Sequence, residues 1–179
     1  NLFAALTEEG CESNLYGMYL SDKKQQVDNF TFIDHIAPHC TSNQHFEGVL
    51  DDAALANFAG RIVVRPDAQQ TEAYQANNNL LLTDTAQVNT KPQLVIDADD
   101  VKCSHGATVG QIDEEAMFYL RSRGIGEAEA RMMMMFGFAH EIVGRVKLAP
   151  LRDEIDNLVD KRLRGELTKC HNCVMHCKK

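Results

Sequence analysis

Two hydrophobic rhythms divide the chain. Over residues 1–112 the apolar and β-branched residues come in short clusters: 30–33, 46–50, 62–64, 80–82, 94–96 and around Val101. Turn formers stand between them: Gly48 with Asp51 and Asp52, Gly60, Pro66 and Asp67, Asn77 to Asn79, Asp84, Lys91 and Pro92, and the acidic run 97–100. Short strands at near-regular spacing predict a sandwich, a barrel or a stacked β-solenoid. Three features favour the solenoid. No helix-period segment interrupts the strands. The hairpin dipeptides Asn-Gly and Asp-Gly are absent. Asn77 to Asn79, beside Leu80 to Leu82, resembles the corner of a coil, where stacked amides bond to one another. A β-sandwich fits the rhythm alone equally well.

From Asp113 the period becomes helical. Asp113, Glu114 and Glu115 place negative charge at a helix N-terminus, where the dipole favours it. Arg121 and Arg123 fall in its last turn, and Gly124 is placed as the C′ residue. A second helix is predicted from about Gly126 to Lys147, with a stripe of Ala128, Met132, Met135, Phe136, Ala139, Val143 and Val146. Met133, Met134, Phe138 and Ile142 lie off that stripe, so the helix is apolar over most of its girth. Pro150 is expected to end it. Leu151, Ile155, Leu158, Val159, Leu163 and Leu167 then mark a third, amphipathic helix. Met-rich helices usually pack as core. So small a subdomain cannot bury this one on every side, which points to an adaptable docking surface for part of it.

Charge and cysteine content narrow the class. There are 18 basic and 26 acidic residues, for a formal net charge of −8. An acidic chain without a Lys/Arg run is a poor nucleic-acid binder and a poor ligand for anionic membranes. No stretch approaches the ~20 apolar residues of a membrane-spanning helix. The start has no basic n-region and no initiator Met, so no signal peptide is expected and the chain reads as a fragment of a longer protein. Cys11, Cys40 and Cys103 are scattered, whereas Cys170, Cys173 and Cys177 crowd the end. That distribution is unlike a secreted disulfide framework and implies reduced thiols in the cytoplasm.

The candidate chemistry concentrates at 99–110, where Cys103 and His105 stand two apart. On a strand they share a face, pointing outward rather than at each other. A thiolate and an imidazole together suit iron, zinc or an iron–sulfur cluster. The plain alternative is a buried thiol beside a surface imidazole. Two ligands are too few for a site, so a partner or other residues must complete it. A second run, Asp34-His35 with His39-Cys40, reads as a polar turn with a structural His, or else a weak metal locus. Cys170, Cys173 and Cys177 would share one helix face beside His171 and His176. A metal site and a reduced tail are both open there. There is no Walker sequence and no Gly-x-Gly-x-x-Gly, so any ATP site belongs to a partner.

Longer phrases carry a resemblance. They are Asp34-His35 with Pro38-His39-Cys40 and Ser42; Phe58 and Gly60-Arg61-Ile62-Val63-Val64-Arg65-Pro66 with Ala68-Gln69; Gln75 and 77–82; Asn89-Thr90-Lys91-Pro92; and 99–111, continuing into 118–125. Over residues 10 to 165 the chain resembles the SufB/SufD family of iron–sulfur cluster assembly proteins, nearer its SufD-like members. The resemblance implies a right-handed parallel β-helix followed by a C-terminal helical subdomain. The divisions would be 1–112, 113–169 and a Cys/His-rich tail at 170–179. It implies a scaffold subunit of the SUF complex and not an enzyme. That subunit pairs edge to edge with SufB and docks the ATPase SufC on its helices. ATP-driven rearrangement of SufC would then open the SufB–SufD interface. His105, with Cys103 beside it, is implied as this subunit's contribution to iron or a cluster. The cluster would be transient and shared with the partner, with no cofactor intrinsic to this chain. For ATPase docking the expected residues are Phe118, Tyr119, Arg121, Arg123, Met132, Met135 and Phe136. A homodimer in isolation stays open. The tail from Lys169 departs from the family pattern. Two rival readings remain. A β-helix enzyme acting on polysaccharide could use Asp97, Asp99 and Asp100, but there is no Trp and only 4 Tyr for a sugar platform. A stand-alone metal-binding module could use the cysteine tail.

Overall fold

The computed structural model describes residues 1–166. The strands among them are β1 Leu2–Leu6, β2 Glu12–Ser21, β3 Gln26–His35, β4 Thr41–Leu50, β5 Leu55–Val64, β6 Thr71–Leu81, β7 Gln87–Ile96 and β8 Val101–Gln111. The helices are α1 Glu114–Ser122, α2 Glu127–Val143 and α3 Ala149–Leu163. Odd-numbered strands form one sheet in the order β1-β3-β5-β7, and even-numbered strands form another in the order β2-β4-β6-β8. Every pairing is parallel. Parallel neighbours need a long crossover. Here the crossover is a strand of the opposite sheet, so the chain winds as a flattened solenoid of about four turns. The solenoid is realised and the sandwich is not. The chain divides into two compact units, Asn1–Ile112 and a second beginning at Asp113.

The interior explains where the sequence expectation and the strands differ. Along β6, Thr71, Ala73, Gln75, Asn77 and Asn79 are buried and the residues between them are not. The inward positions are therefore partly polar, which hides strand period from an apolar-cluster reading. This is why strands of 10 or 11 residues extend well beyond the clusters. Asn77 to Asn79 are not a corner. They lie within β6, where Asn79 Nδ2 donates to Asn77 Oδ1 at 2.9 Å and Asn77 Nδ2 donates to Phe46 O at 3.3 Å. Gly48, Gly60 and Lys91-Pro92 also lie inside strands, not in turns. A Cβ on Gly48 would overlap the Tyr19 ring, and one on Gly60 would overlap the Gln75 amide. Pro92 sits in β7, the edge strand of its sheet, where a missing N–H leaves no ladder bond broken.

Apolar clusters flank this polar middle. One joins Leu6, Ile33, Cys40, Ile62, Val64, Ala68, Ala73 and Ala98. The other joins Tyr19, Leu50, Ala54, Ala56 and Ala86. Phe46 and Phe58 stack between the sheets with centroids 5.2 Å apart. True corners carry the unusual backbone: Gly10, His39 and Gln70 all have positive φ, each just before an even-numbered strand.

In the second unit, Asp113 caps α1, its carboxylate accepting from the backbone of Glu115 and Ala116. Gly124 follows with φ +86° as the C′ residue. α2 ends at Val143, short of the predicted Lys147, because tight turns from Arg145 to Ile142 O and from Val146 to Val143 O close it. Its buried residues are Ala130, Met135, Ala139, Ile142 and Val143. The buried face is thus rotated from the predicted stripe: Ala128 is exposed and Ile142 is covered. Pro150 does not break a helix. It occupies the first turn of α3, where no N–H is required.

Candidate functional site

β8 is one edge strand of its sheet, opposite β2, and β7 is one edge strand of the other, opposite β1. Both belong to the last coil. Cys103 extends the column Ser13–Ser42–Ala73, and His105 extends the column Leu15–Gln44–Gln75. Ser42, Ala73, Gln44 and Gln75 are buried inward residues. Cys103 and His105 therefore lie in inward columns, which corrects the outward orientation expected from the sequence. They remain reachable because no described strand pairs beyond β8.

The two groups differ in environment. Cys103 is half-buried and packs against the apolar cluster of Ile33, Ile62 and Ala73. That burial pushes its thiol pKa up, with a backbone hydrogen bond from Ala73 pulling the other way. It is not a poised nucleophile, since reactive cysteines need lowered pKa values. His105 is exposed. Beneath it Gln75 Nε2 donates to Gln44 Oε1 in a short buried bond. This amide ladder escaped the sequence reading. Its trace is the recurrence of Gln44, Gln75 and His105 at one coil repeat.

The second candidate run is dispersed. Asp34 accepts a two-pronged pair from Arg65 at 2.9 and 3.0 Å. His35 is fully buried, its Nε2 2.8 Å from Ser42 Oγ. His39 is a left-handed corner residue 3.7 Å from the Glu9 carboxylate. Cys40 is buried with its Sγ 3.3 Å from Glu8 O. Four side chains with four separate sets of partners do not converge on one ion. Asp99 and Asp100 lie in the turn between β7 and β8. That turn is tied to the previous coil by Gln70 N–H to Asp100 O at 2.6 Å and Asp100 N–H to Gln69 Oε1 at 2.9 Å. The Asp100 backbone is part of a corner latch.

On the helices, Phe118 is 75% exposed and Tyr119 is 57% exposed. Arg123 lies over the Tyr119 ring at 5.1 Å, and Arg121 pairs with Glu127 at 3.5 Å. Phe136 is half-buried beneath Arg164, Met132 is half-buried, and Met135 is buried. Met135 therefore offers no surface, while Phe118 and Tyr119 offer the most. No described helix is long and apolar enough to cross a membrane. Cys170, Cys173 and Cys177, with the end of the predicted helical region at Leu167, lie outside the described residues.

Comparison with known proteins places this geometry. Residues 1–138 match the family model described as SUF system FeS cluster assembly, SufBD core domain. The iron–sulfur cluster assembly protein SufD of Escherichia coli is 39% identical over 165 residues, covering 92% of this chain and 39% of that protein. An iron–sulfur cluster assembly SufBD family protein of Synechocystis is 38% identical over 173 residues, covering 97% of this chain and 36% of that one. SufD of Plasmodium falciparum is 30% identical over 149 residues, 83% of this chain and 10% of the relative. The chain thus spans two fifths or less of the length of these relatives. A parallel solenoid followed by helices, with the family model matching from the first residue through β8 into α2, leads to one assignment: the chain belongs to the SufBD family of iron–sulfur cluster assembly proteins.

Proposed function

We propose that this chain is a scaffold portion of a SufD-like subunit, cytoplasmic and without catalytic activity of its own. Its last coil pairs with a SufB-like subunit, and its helices dock a SufC-like ATPase. The iron–sulfur cluster is cargo, assembled transiently across the pair. The observation that supports this reading most is the place of Cys103 and His105 in inward columns of β8, an edge strand whose outer side no described strand covers. An edge strand presents free N–H and C=O groups to a partner strand. Two ligands on that strand make half a site, and pairing brings the other half. His105 is the exposed member, an imidazole that coordinates iron when neutral. Cys103, packed and with its thiol pKa raised by burial, is the secondary ligand and binds only on giving up its proton. The polysaccharide reading gains nothing from the corner latch at Asp99 and Asp100.

In the intact complex, His105→Ala is expected to abolish most cluster formation while the subunits still co-purify. Unchanged cluster yield in an assembled complex sinks the role of His105. For the helices, the double change Phe118→Ala with Tyr119→Ala removes the most exposed aromatic surface of α1. ATPase capture at undiminished affinity by this variant would move the docking surface elsewhere.

A further inference from the structure

Cys11 and Cys40 stand at the same corner of consecutive coils. Glu12 and Thr41 pair in register, and the ladder reaches back across the corner. There Thr41 N–H donates to Cys11 O at 2.9 Å and Gly10 N–H donates to Pro38 O at 3.2 Å. The two cysteines are therefore neighbours one coil apart, and both are free thiols. Paired strands run about 4.8 Å apart, inside the ~4.4–6.8 Å window of Cα separations that a disulfide spans. Both side chains enter the apolar cluster of Leu6, Ile33 and Ile62, Cys40 as a member and Cys11 packed against it. The thiols also meet. Burial pushes the Cys40 pKa up, and the backbone of Cys11 and of Gly10 pulls it down. The Cys11 thiol, close enough to act both as a charge and through a hydrogen bond, pushes it up again. Cys40 is wholly buried, with its Sγ 3.3 Å from Glu8 O and 3.5 Å from Pro38 O. Cys11 is partly exposed. Cys103 packs on the same cluster, but from β8, two strands beyond β4 in its sheet. That is about 9 to 10 Å in the pairing direction alone, too far for it to compete.

We propose that Cys11 and Cys40 form a reversible disulfide, a redox-operated staple between the coils of β2 and β4, with a small peroxide as the oxidant. Cys11 is the thiol that a peroxide reaches first. Its thiolate sulfur attacks one peroxide oxygen, the O–O bond breaks, and Cys11 becomes a sulfenic acid as the first water leaves. The Cys40 sulfur then attacks the Cys11 sulfur. The S–O bond breaks, and the departing hydroxide takes the Cys40 proton and leaves as the second water. Two thiols are oxidised and one hydrogen peroxide is reduced, giving one disulfide and two waters. A dithiol reductant restores both thiols and leaves as a disulfide itself. Burial shields Cys40 from bulk oxidant and keeps it as the resolving thiol beside Cys11. In-register Cβ atoms of parallel strands keep roughly the strand spacing, wider than the ~3.8 Å of a disulfide. Closing the bond therefore draws the corner in, and a bond under such strain is readily reduced again.

The full 179-residue chain, first reduced and then exposed to hydrogen peroxide, is quenched with an alkylating agent and digested with trypsin without reduction. Lys23 and Lys24 separate Cys11 from Cys40, and Arg61 separates Cys40 from Cys103, so each thiol reports on its own peptide by mass spectrometry. Among these three cysteines, the linked Cys11–Cys40 peptide from monomeric protein is the expected main product, with loss of both free-thiol peptides and their recovery in dithiothreitol. The same oxidation in urea should scatter the linkages. Cys40→Ser should leave Cys11 as a sulfenic acid that dimedone traps, and Cys11→Ser should leave Cys40 a reduced thiol. Native protein in which Cys11 and Cys40 stay unlinked, or link no more than in urea, overturns the proposal without needing any variant to fold. A linkage found only in covalent dimers overturns it as well.

Discussion

His35 shows how a single side chain ties the solenoid to pH. It is wholly buried and bonded through Nε2 to Ser42 Oγ at 2.8 Å. Burial holds its pKa below the usual 6.5, with the neighbouring Asp34 carboxylate opposing the shift. The unfolded chain therefore takes up this proton before the native chain does. Stability is unaffected above the ordinary imidazole pKa. It falls as pH drops below about 6.5 toward the lowered native value, by at most about 1.4 kcal/mol per pH unit. Urea midpoints measured from pH 7 to 5 should fall for the native sequence, and His35→Gln should remove that slice of the dependence. Identical slopes for the two proteins contradict the assignment. Cys103 is the companion case. Its raised thiol pKa predicts alkylation at neutral pH slower than for the same residue in the urea-unfolded chain, read by peptide mass spectrometry. The residue types at both positions were legible in sequence. Their orientation was not, because inward and outward differ by a single step along a strand.

At the scale of elements, helices and strands were legible to different degrees, for a physical reason. Helix ends are set by near neighbours, and the Asp113 cap and Gly124 terminus follow from local sequence. Asp113→Ala should cost about 1 kcal/mol in unfolding free energy by losing the cap. Strand interiors are set by residues a coil away. Gly48 and Gly60 look like turn residues in sequence, yet each makes room for a side chain from another strand. Gly48→Ala would press on the Tyr19 ring and the Asn79 amide, whose oxygen accepts the Tyr19 hydroxyl. Overpacking of this kind costs about 1–3 kcal/mol, and a thermal or denaturant scan reads it directly. A Gly48→Ala protein as stable as the parent would mean that the interior yields more readily than its packing implies. The polar ladder of Gln44, Gln75, Asn77 and Asn79 hid strand length for the same reason. These inward amides take most of their partners from other coils, Gln44 for Gln75 and Tyr19 for Asn77 and Asn79.

For the whole molecule the open end of the solenoid is the dominant fact. No described strand pairs with the outer edges of β7 and β8, and β8 presents Ala107 and Val109 in its inward register. Natural edges are usually blunted by charge or bulges, and a long apolar one invites pairing. Pairing of this end with a partner strand predicts that Ala107→Lys with Val109→Lys lowers association with the SufB-like subunit by at least about 10-fold, an amount equal to about 1.4 kcal/mol. Sedimentation or pull-down of the two subunits measures it. Undiminished association would place the interface away from β8.

Local sequence carried the two rhythms, both ends of α1, the family and the identity of the chemical groups at 103 and 105. These depend on near neighbours or on the residue types themselves. Tertiary structure decided the rest: that Cys103 and His105 lie in inward columns, that Asp34, His35, His39 and Cys40 diverge, and that Gln75 lies beneath His105. Each of those depends on coil register, and register comes from closing the chain on itself about every 30 residues. No local pattern encodes that closure, because its energy comes from contacts between residues far apart in the chain.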